Sequence, residues 1–259
     1  MTITLPPPMI PPTEDGTLSW HEAARLALDA YRLTERRMLA YGVQGYYHGV
    51  PLIEQADQEP TTINPMWEIA RRLPTYADTQ RPYGGGIEVL PEYGTWRTQL
   101  IDRFAYLIPA PRALAWIVQV LDGRPVVEVG AGLGYWAWQL GQLGVVVEAS
   151  DISPPEEHRT FVPVQQTSAP EAAAQAGDAA LMILWPPMGT AVSSMAMDAL
   201  TAYTGDHIIV CTEFRRDPCA GDELFLRALR DGWRAADASS GHVNWDVLGD
   251  VHLALFERR

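Results

Sequence analysis

The chain's 259 residues are 47% hydrophobic and 20% charged, enough for one large α/β domain with a full core and an elaborated end. No apolar run reaches the roughly 18–20 residues of a membrane-spanning helix. No basic-then-apolar leader opens the sequence, so no membrane association is expected and the cytoplasm is the expected compartment. A net charge of −13, with 19 arginines and no lysine against 32 acids, repels polyanions; it argues against a nucleic-acid partner and leaves a small molecule as the expected one.

Residues 1–16 hold five prolines and little that can pack, and read as a disordered tail. Ser19-Trp-His-Glu22 is a capping box that opens a helix to about Ala40, with Trp20, Ala24, Ala27, Tyr31 and Met38 on one face. Residues 41–63 are irregular and aromatic-rich, with Tyr46, Tyr47 and His48. Asn64-Pro65 is an N-cap with proline at the first helical position, predicting a helix to about Leu73. Gly84-Gly85-Gly86 predicts a flexible break, and helical patterns resume over 95–106 and 110–121.

From Arg124 the pattern changes. Short β-branched runs at 126–129, 145–149, 161–164, 180–185, 207–212, 233–236 and 251–257 alternate with helix-length segments such as 135–143 and 170–176. Alternating β and α signals predict a mostly parallel sheet with helices on both faces. Residues 17–105 are accordingly expected to form a helical N-terminal region, and 106–259 an α/β domain. Cys211 lies in an apolar run and Cys219 in a proline-containing turn; neither has metal-ligand spacing around it, and both are expected to be reduced.

Val126-Val-Glu-Val-Gly130-Ala-Gly132-Leu-Gly134-Tyr135 is a buried strand running into a glycine turn and then a helix, where a ligand can approach the backbone because side chains are missing. The dinucleotide fingerprint needs a glycine where Tyr135 stands. Here the glycines fall at 130, 132 and 134, and Glu128 precedes them by two. Asp151, at the expected end of the second strand, is placed to accept two hydroxyl hydrogen bonds. Glu148 is a rival inside the strand, and a plain helix cap before Pro154 is the alternative role for Asp151.

Through Glu128-Val-Gly-Ala-Gly-Leu-Gly-Tyr-Trp136 and Asp151-Ile-Ser-Pro154, residues from about 103 to 259 resemble the class I S-adenosylmethionine-dependent methyltransferases. The resemblance is greatest to a branch that also has Tyr106-Leu-Ile-Pro109, Leu184-Trp-Pro-Pro187, Tyr203-Thr-Gly-Asp206, Glu213 and Arg258. It implies a Rossmann-like doubly wound seven-stranded sheet of order 3-2-1-4-5-7-6 with its last strand antiparallel, and S-adenosyl-L-methionine as cofactor. It implies cofactor contacts from Tyr106, Glu128, Gly130, Ala131, Gly132, Gly134, Asp151, Ile152 and Trp185, with Glu128 helping to hold the ligand's ammonium group. It does not extend to the first 100 residues; N-terminal elaborations of such enzymes commonly form a lid over the substrate.

Methyl transfer is an in-line displacement for which the protein supplies alignment and, where the nucleophile is protonated, a base. The acceptor is expected beyond the ends of the fourth and fifth strands. There Trp185 replaces the Asp or Asn of the Asp/Asn-Pro-Pro-aromatic motif of amino-methylating enzymes, while Pro186 and Pro187 form either a rigid substrate wall with outward carbonyls or a plain closing turn. Glu213 is a candidate base or cation ligand; its alternative is an ion pair with Arg215 or Arg216. Tyr47 is a candidate substrate contact and His48 a second candidate base. The expected activity is methyl transfer to O or N of a small-molecule acceptor. Protein or peptide methylation is the alternative within enzymes, and a catalytically silent S-adenosylmethionine-binding protein is the alternative outside them.

Overall fold

The computed structural model of the chain describes residues 59–71, 80–83, 86–89, 100–189, 194–214, 220–241, 243 and 251–259. The chain divides into two units, with a break between Ile108 and Pro109. Tyr46, Tyr47, His48, Arg215, Arg216, Cys219 and the two N-terminal segments expected at 1–16 and 19–40 lie outside the described residues.

In the first unit, α1 (Pro65–Ala70) starts where its sequence says it should. Asn64 Oδ1 accepts the amide hydrogen of Trp67 at 3.0 Å, and Pro65 sits where no hydrogen-bonding N–H is needed. Met66, Trp67 and Ala70 are fully buried, and Arg71 closes the turn by pairing with Glu59 and Glu68. Gly84 and Gly85 of the predicted flexible break lie outside the described residues; on either side of them β1 (Gln80–Tyr83) and β2 (Gly86–Val89) pair antiparallel, with Tyr83 opposite Gly86. The helix expected over 95–106 is helical at residues 100–103 and has ended before Tyr106.

The second unit opens with α2 (Pro111–Leu121), whose Ala113, Leu114, Ile117 and Leu121 form one buried stripe, and which stops at Asp122 in the left-handed region. A seven-stranded sheet follows. Its strands are β3 (Val126–Val129), β4 (Val147–Asp151), β5 (Val164–Gln166), β6 (Ala180–Leu184), β7 (His207–Glu213), β8 (Trp233–Ala238) and β9 (Val251–Arg258), in spatial order β5-β4-β3-β6-β7-β9-β8. Numbered within the sheet this is 3-2-1-4-5-7-6, the Rossmann-like doubly wound arrangement expected. β3 to β7 are parallel, and β9 runs antiparallel to both β7 and β8.

Both faces are covered, which is why the central strands are apolar throughout. On one face Val127, Val129, Leu181, Ile183, Ile208 and Val210 pack with α4 (Ala169–Gln175), α5 (Met195–Ala202) and α6 (Glu223–Gly232). Glu128 alternates to the other face, towards α3 (Tyr135–Gln142). Two strands begin later than their β-branched runs. Val145 still closes α3, its amide donating to the Leu140 carbonyl, so β4 starts at Val147. Phe161 donates to the Leu133 carbonyl and sets its ring against Tyr135 and Trp138 at 4.7 and 5.1 Å, so β5 starts at Val164. Among the described residues no helix is long and apolar enough to cross a membrane.

Candidate functional site

The parallel strands end together, and strand order reverses at β3, the place where open α/β sheets bind ligands. The glycine turn that leaves β3 takes Gly130, Gly132 and Gly134 all through positive φ, at 72°, 55° and 69°. Their surroundings separate them. A Cβ on Gly134 would lie 2.7 Å from Val162 Cγ2, so that glycine is demanded by packing of α3 against the segment before β5. Among the described residues a Cβ on Gly132 would meet nothing within 4 Å, and one on Gly130 only the end of Met195, Cε at 3.0 Å. The middle of the turn is therefore open to a ligand, and its rear is closed by protein. Gly134→Ala is expected to cost about 2–4 kcal/mol of stability, combining left-handed strain with overpacking; urea denaturation checks it, and an unchanged midpoint would contradict the packing role.

Asp151 ends β4, as expected from its place in the sequence. Its Oδ2 accepts the Gly132 amide hydrogen at 3.0 Å and its Oδ1 accepts that of Ser153 at 2.9 Å. The alternative of a helix cap before Pro154 does not hold, because the next helical residues are the 3-10 turn at Glu157–Arg159. A carboxylate has about four acceptor positions, so two remain for a ligand. Ile152 follows with its side chain 72% exposed, while Glu148 lies exposed within β4.

Glu128 is 3% exposed, and burial pushes its carboxyl up to about 8. The Ala137 amide donates to it and opposes the rise, and the Asp151 charge adds to it. Among the described residues its buried Oε2 has no hydrogen-bond partner. In the pH window from about 4.5 to about 8 the folded chain holds a proton here that the unfolded chain releases. This group's contribution to stability is therefore complete at low pH and declines by about 1.4 kcal/mol per pH unit across that window. Glu128→Gln is expected to flatten the fall in stability between pH 5 and 8, measured by denaturant titration at each pH; parallel wild-type and variant curves would contradict it.

Beyond β6, Trp185 takes φ 51°, a left-handed conformation that a residue before proline strongly disfavours. The turn is held by the Trp185 amide donating to the Cys211 carbonyl and by the Pro186 carbonyl accepting from Gly221, both at 2.8 Å. The expected substrate wall is corrected to this extent: Pro186 is buried and its carbonyl is used internally, while Pro187 and Met188 are exposed. Glu213 ends β7 and is 5% exposed. Tyr106 belongs to the first unit, where it is half-buried.

Glu128, Gly130, Ala131, Gly132, Gly134 and Asp151 thus converge on one turn, and Trp185 and Pro186 lie at the end of the next strand. Met195 was not foreseen, since its approach to Gly130 is a contact between distant segments. Ser194 and Asp222 were also missed. Ser194 Oγ caps α5 and donates to Asp222 Oδ2, and Asp222 caps α6 through the Phe225 amide. Both residues stand immediately before helices, a capping signal that a closer reading of residues 190–225 would have found.

No protein-family model matches the chain, and no curated protein matches it. Among solved structures it is similar to the magnesium protoporphyrin IX methyltransferase of Synechocystis with bound S-adenosylmethionine, at 18% identity and TM-score 0.37, covering 56% of this chain and 76% of that one. It is similar also to the Burkholderia thailandensis 1,6-didemethyltoxoflavin-N1-methyltransferase, bound to its substrate and S-adenosylhomocysteine, at 18% identity and TM-score 0.38, covering 70% and 94%. A third is the S-adenosylmethionine-dependent methyltransferase SibL in its apo form, at 14% identity and TM-score 0.33, covering 92% and 96%. At these identities and TM-scores the similarities bear on neither the site residues nor the acceptor.

Proposed function

We propose that this chain is a class I S-adenosylmethionine-dependent methyltransferase acting on O or N of a small molecule. The observation that carries the reading is a glycine turn open at Gly132, between a buried carboxyl with an unpartnered oxygen, Glu128, and a strand-end carboxylate, Asp151. The glycines at 130, 132 and 134, with Tyr135 where the dinucleotide fingerprint needs a glycine, depart from a pyrophosphate-binding turn, whereas a ligand with an ammonium group and ribose hydroxyls fits Glu128 and Asp151. Glu128 would hold the ammonium group, Asp151 the ribose, and Gly130–Gly132 would admit the ligand against the backbone. The cofactor supplies a methyl group activated on a sulfonium centre. The chain's own part is to align the acceptor, with Glu213, Pro187 and, from the N-terminal region, Tyr47 and His48 as its candidate contacts. Residues 17–105 extend the proposal as the acceptor-binding region: removing residues 1–16 leaves turnover intact, and removing 1–95 abolishes it.

The test uses methyl-labelled S-adenosylmethionine with the full chain and a cell extract separated by size. Label in the small-molecule fraction is the expected result. Label in protein favours peptide methylation, and tight cofactor binding with label in neither fraction favours the silent binding protein.

A further inference from the structure

The surroundings of Glu128 satisfy only one of its ionisation states at a time. Its neighbours in register are Ala149 on β4 and Met182 on β6, both apolar. Two residues past Ala149, on the same face, stands Asp151. β6 has no titratable residue, α3 has only Tyr135, and Arg112 of α2 is exposed. One backbone amide, that of Ala137 in the first turn of α3, donates to the carboxyl; the other oxygen has no partner among the described residues. An ionised carboxylate so buried, with one donor and a like charge nearby, is costly, and the neutral acid avoids that cost.

We infer that Glu128 is protonated in the ligand-free protein and releases its proton to solvent when a ligand's ammonium group docks against it. The inference rests on the cofactor reading above and adds its regulation by pH. In the step the carboxyl O–H bond breaks and its electron pair stays on oxygen. That carboxylate accepts a hydrogen bond from the ammonium group, and one proton passes to water for each ligand bound. Nothing is oxidised or reduced. Affinity for the cationic ligand therefore rises with pH from the ordinary carboxylate range and levels near 8, opposite in sign to the stability of the ligand-free chain.

The test is calorimetric titration of S-adenosylhomocysteine into the full chain near pH 6.5, where an α-amino group is charged, in buffers of different protonation enthalpy. Close to one proton released per ligand is expected for wild type and none for Glu128→Gln, an isostere of the neutral acid that keeps the fold. A second readout needs no binding by the variant: the infrared carbonyl band of a protonated carboxyl should be present in ligand-free wild type, lost on adding ligand, and missing from Glu128→Gln. Binding with heats independent of buffer, release that persists in Glu128→Gln, or absence of the band overturns the inference alone. Absence of binding in every buffer overturns the cofactor reading and this inference with it.

Discussion

Replacing Gly132 by valine is expected to abolish binding of S-adenosylmethionine and S-adenosylhomocysteine while the sheet stays folded. The two effects separate because, among the described residues, nothing lies within 4 Å of the Cβ that Gly132 would gain. The cost to the fold is then that of a left-handed φ of 55° alone. For an ordinary L residue this is roughly 1–2 kcal/mol, somewhat more for a β-branched one, against a typical total of about 5–15 kcal/mol. The cost to a ligand lying on that backbone is steric, and the Asp151 carboxylate, which accepts the Gly132 amide hydrogen, restrains the turn against relaxing. Gly132→Ala adds the Cβ only and should weaken binding at least about tenfold, or about 1.4 kcal/mol. Thermal denaturation and equilibrium binding on the same samples check both parts. A folded valine variant with wild-type affinity would show that the open face of the turn is not where the ligand lies.

The second large effect is expected at Asp151. Alanine there removes a charged acceptor from the ligand's hydroxyls, worth about 1.5–3 kcal/mol for each hydrogen bond, so affinity should fall at least roughly tenfold. The structure adds a reason for a larger loss. The same carboxylate fixes the Gly132 and Ser153 amides, so the alanine variant also frees the glycine turn. Asp151→Asn keeps one acceptor oxygen and should fall between wild type and alanine. Glu148→Ala, altering an exposed side chain of β4, should leave affinity unchanged. Loss in Glu148→Ala with none in Asp151→Ala would reverse the assignment.

What was legible in the sequence follows from which interactions are local. The central strands β3, β6 and β7 were recognisable as apolar runs because a strand covered on both faces must be largely apolar along its length, and the glycine turn because positive φ and close approach leave few residues to choose from. Asp151 was readable for the same reason: a polar residue ends an apolar run. The errors fall where a residue with strand character serves another element. Val145 closes α3 and Phe161 joins Tyr135 and Trp138, and no property of either residue alone reveals that. At Gly84–Gly86 glycine content alone does not reveal that Tyr83 pairs with Gly86, which the flanking strands decide. The contacts beyond the ends of β6 and β7 were least visible. The Pro186 carbonyl meets Gly221, and the Ser194 hydroxyl meets Asp222, across 35 and 28 residues of sequence respectively. The left-handed Trp185 runs against its own local preference, and its amide donates to the Cys211 carbonyl, 26 residues away in sequence.

The central claim is that the turn from Gly130 to Gly134 holds an adenosyl amino acid and not a dinucleotide. Isothermal titration of the full chain with S-adenosylmethionine, S-adenosylhomocysteine and NAD, each at one fixed pH, tests it most directly. The account predicts micromolar or tighter binding of both adenosyl ligands, about 8 kcal/mol or more, with no heat from NAD. Binding of NAD, with no heat from either adenosyl ligand, would contradict it.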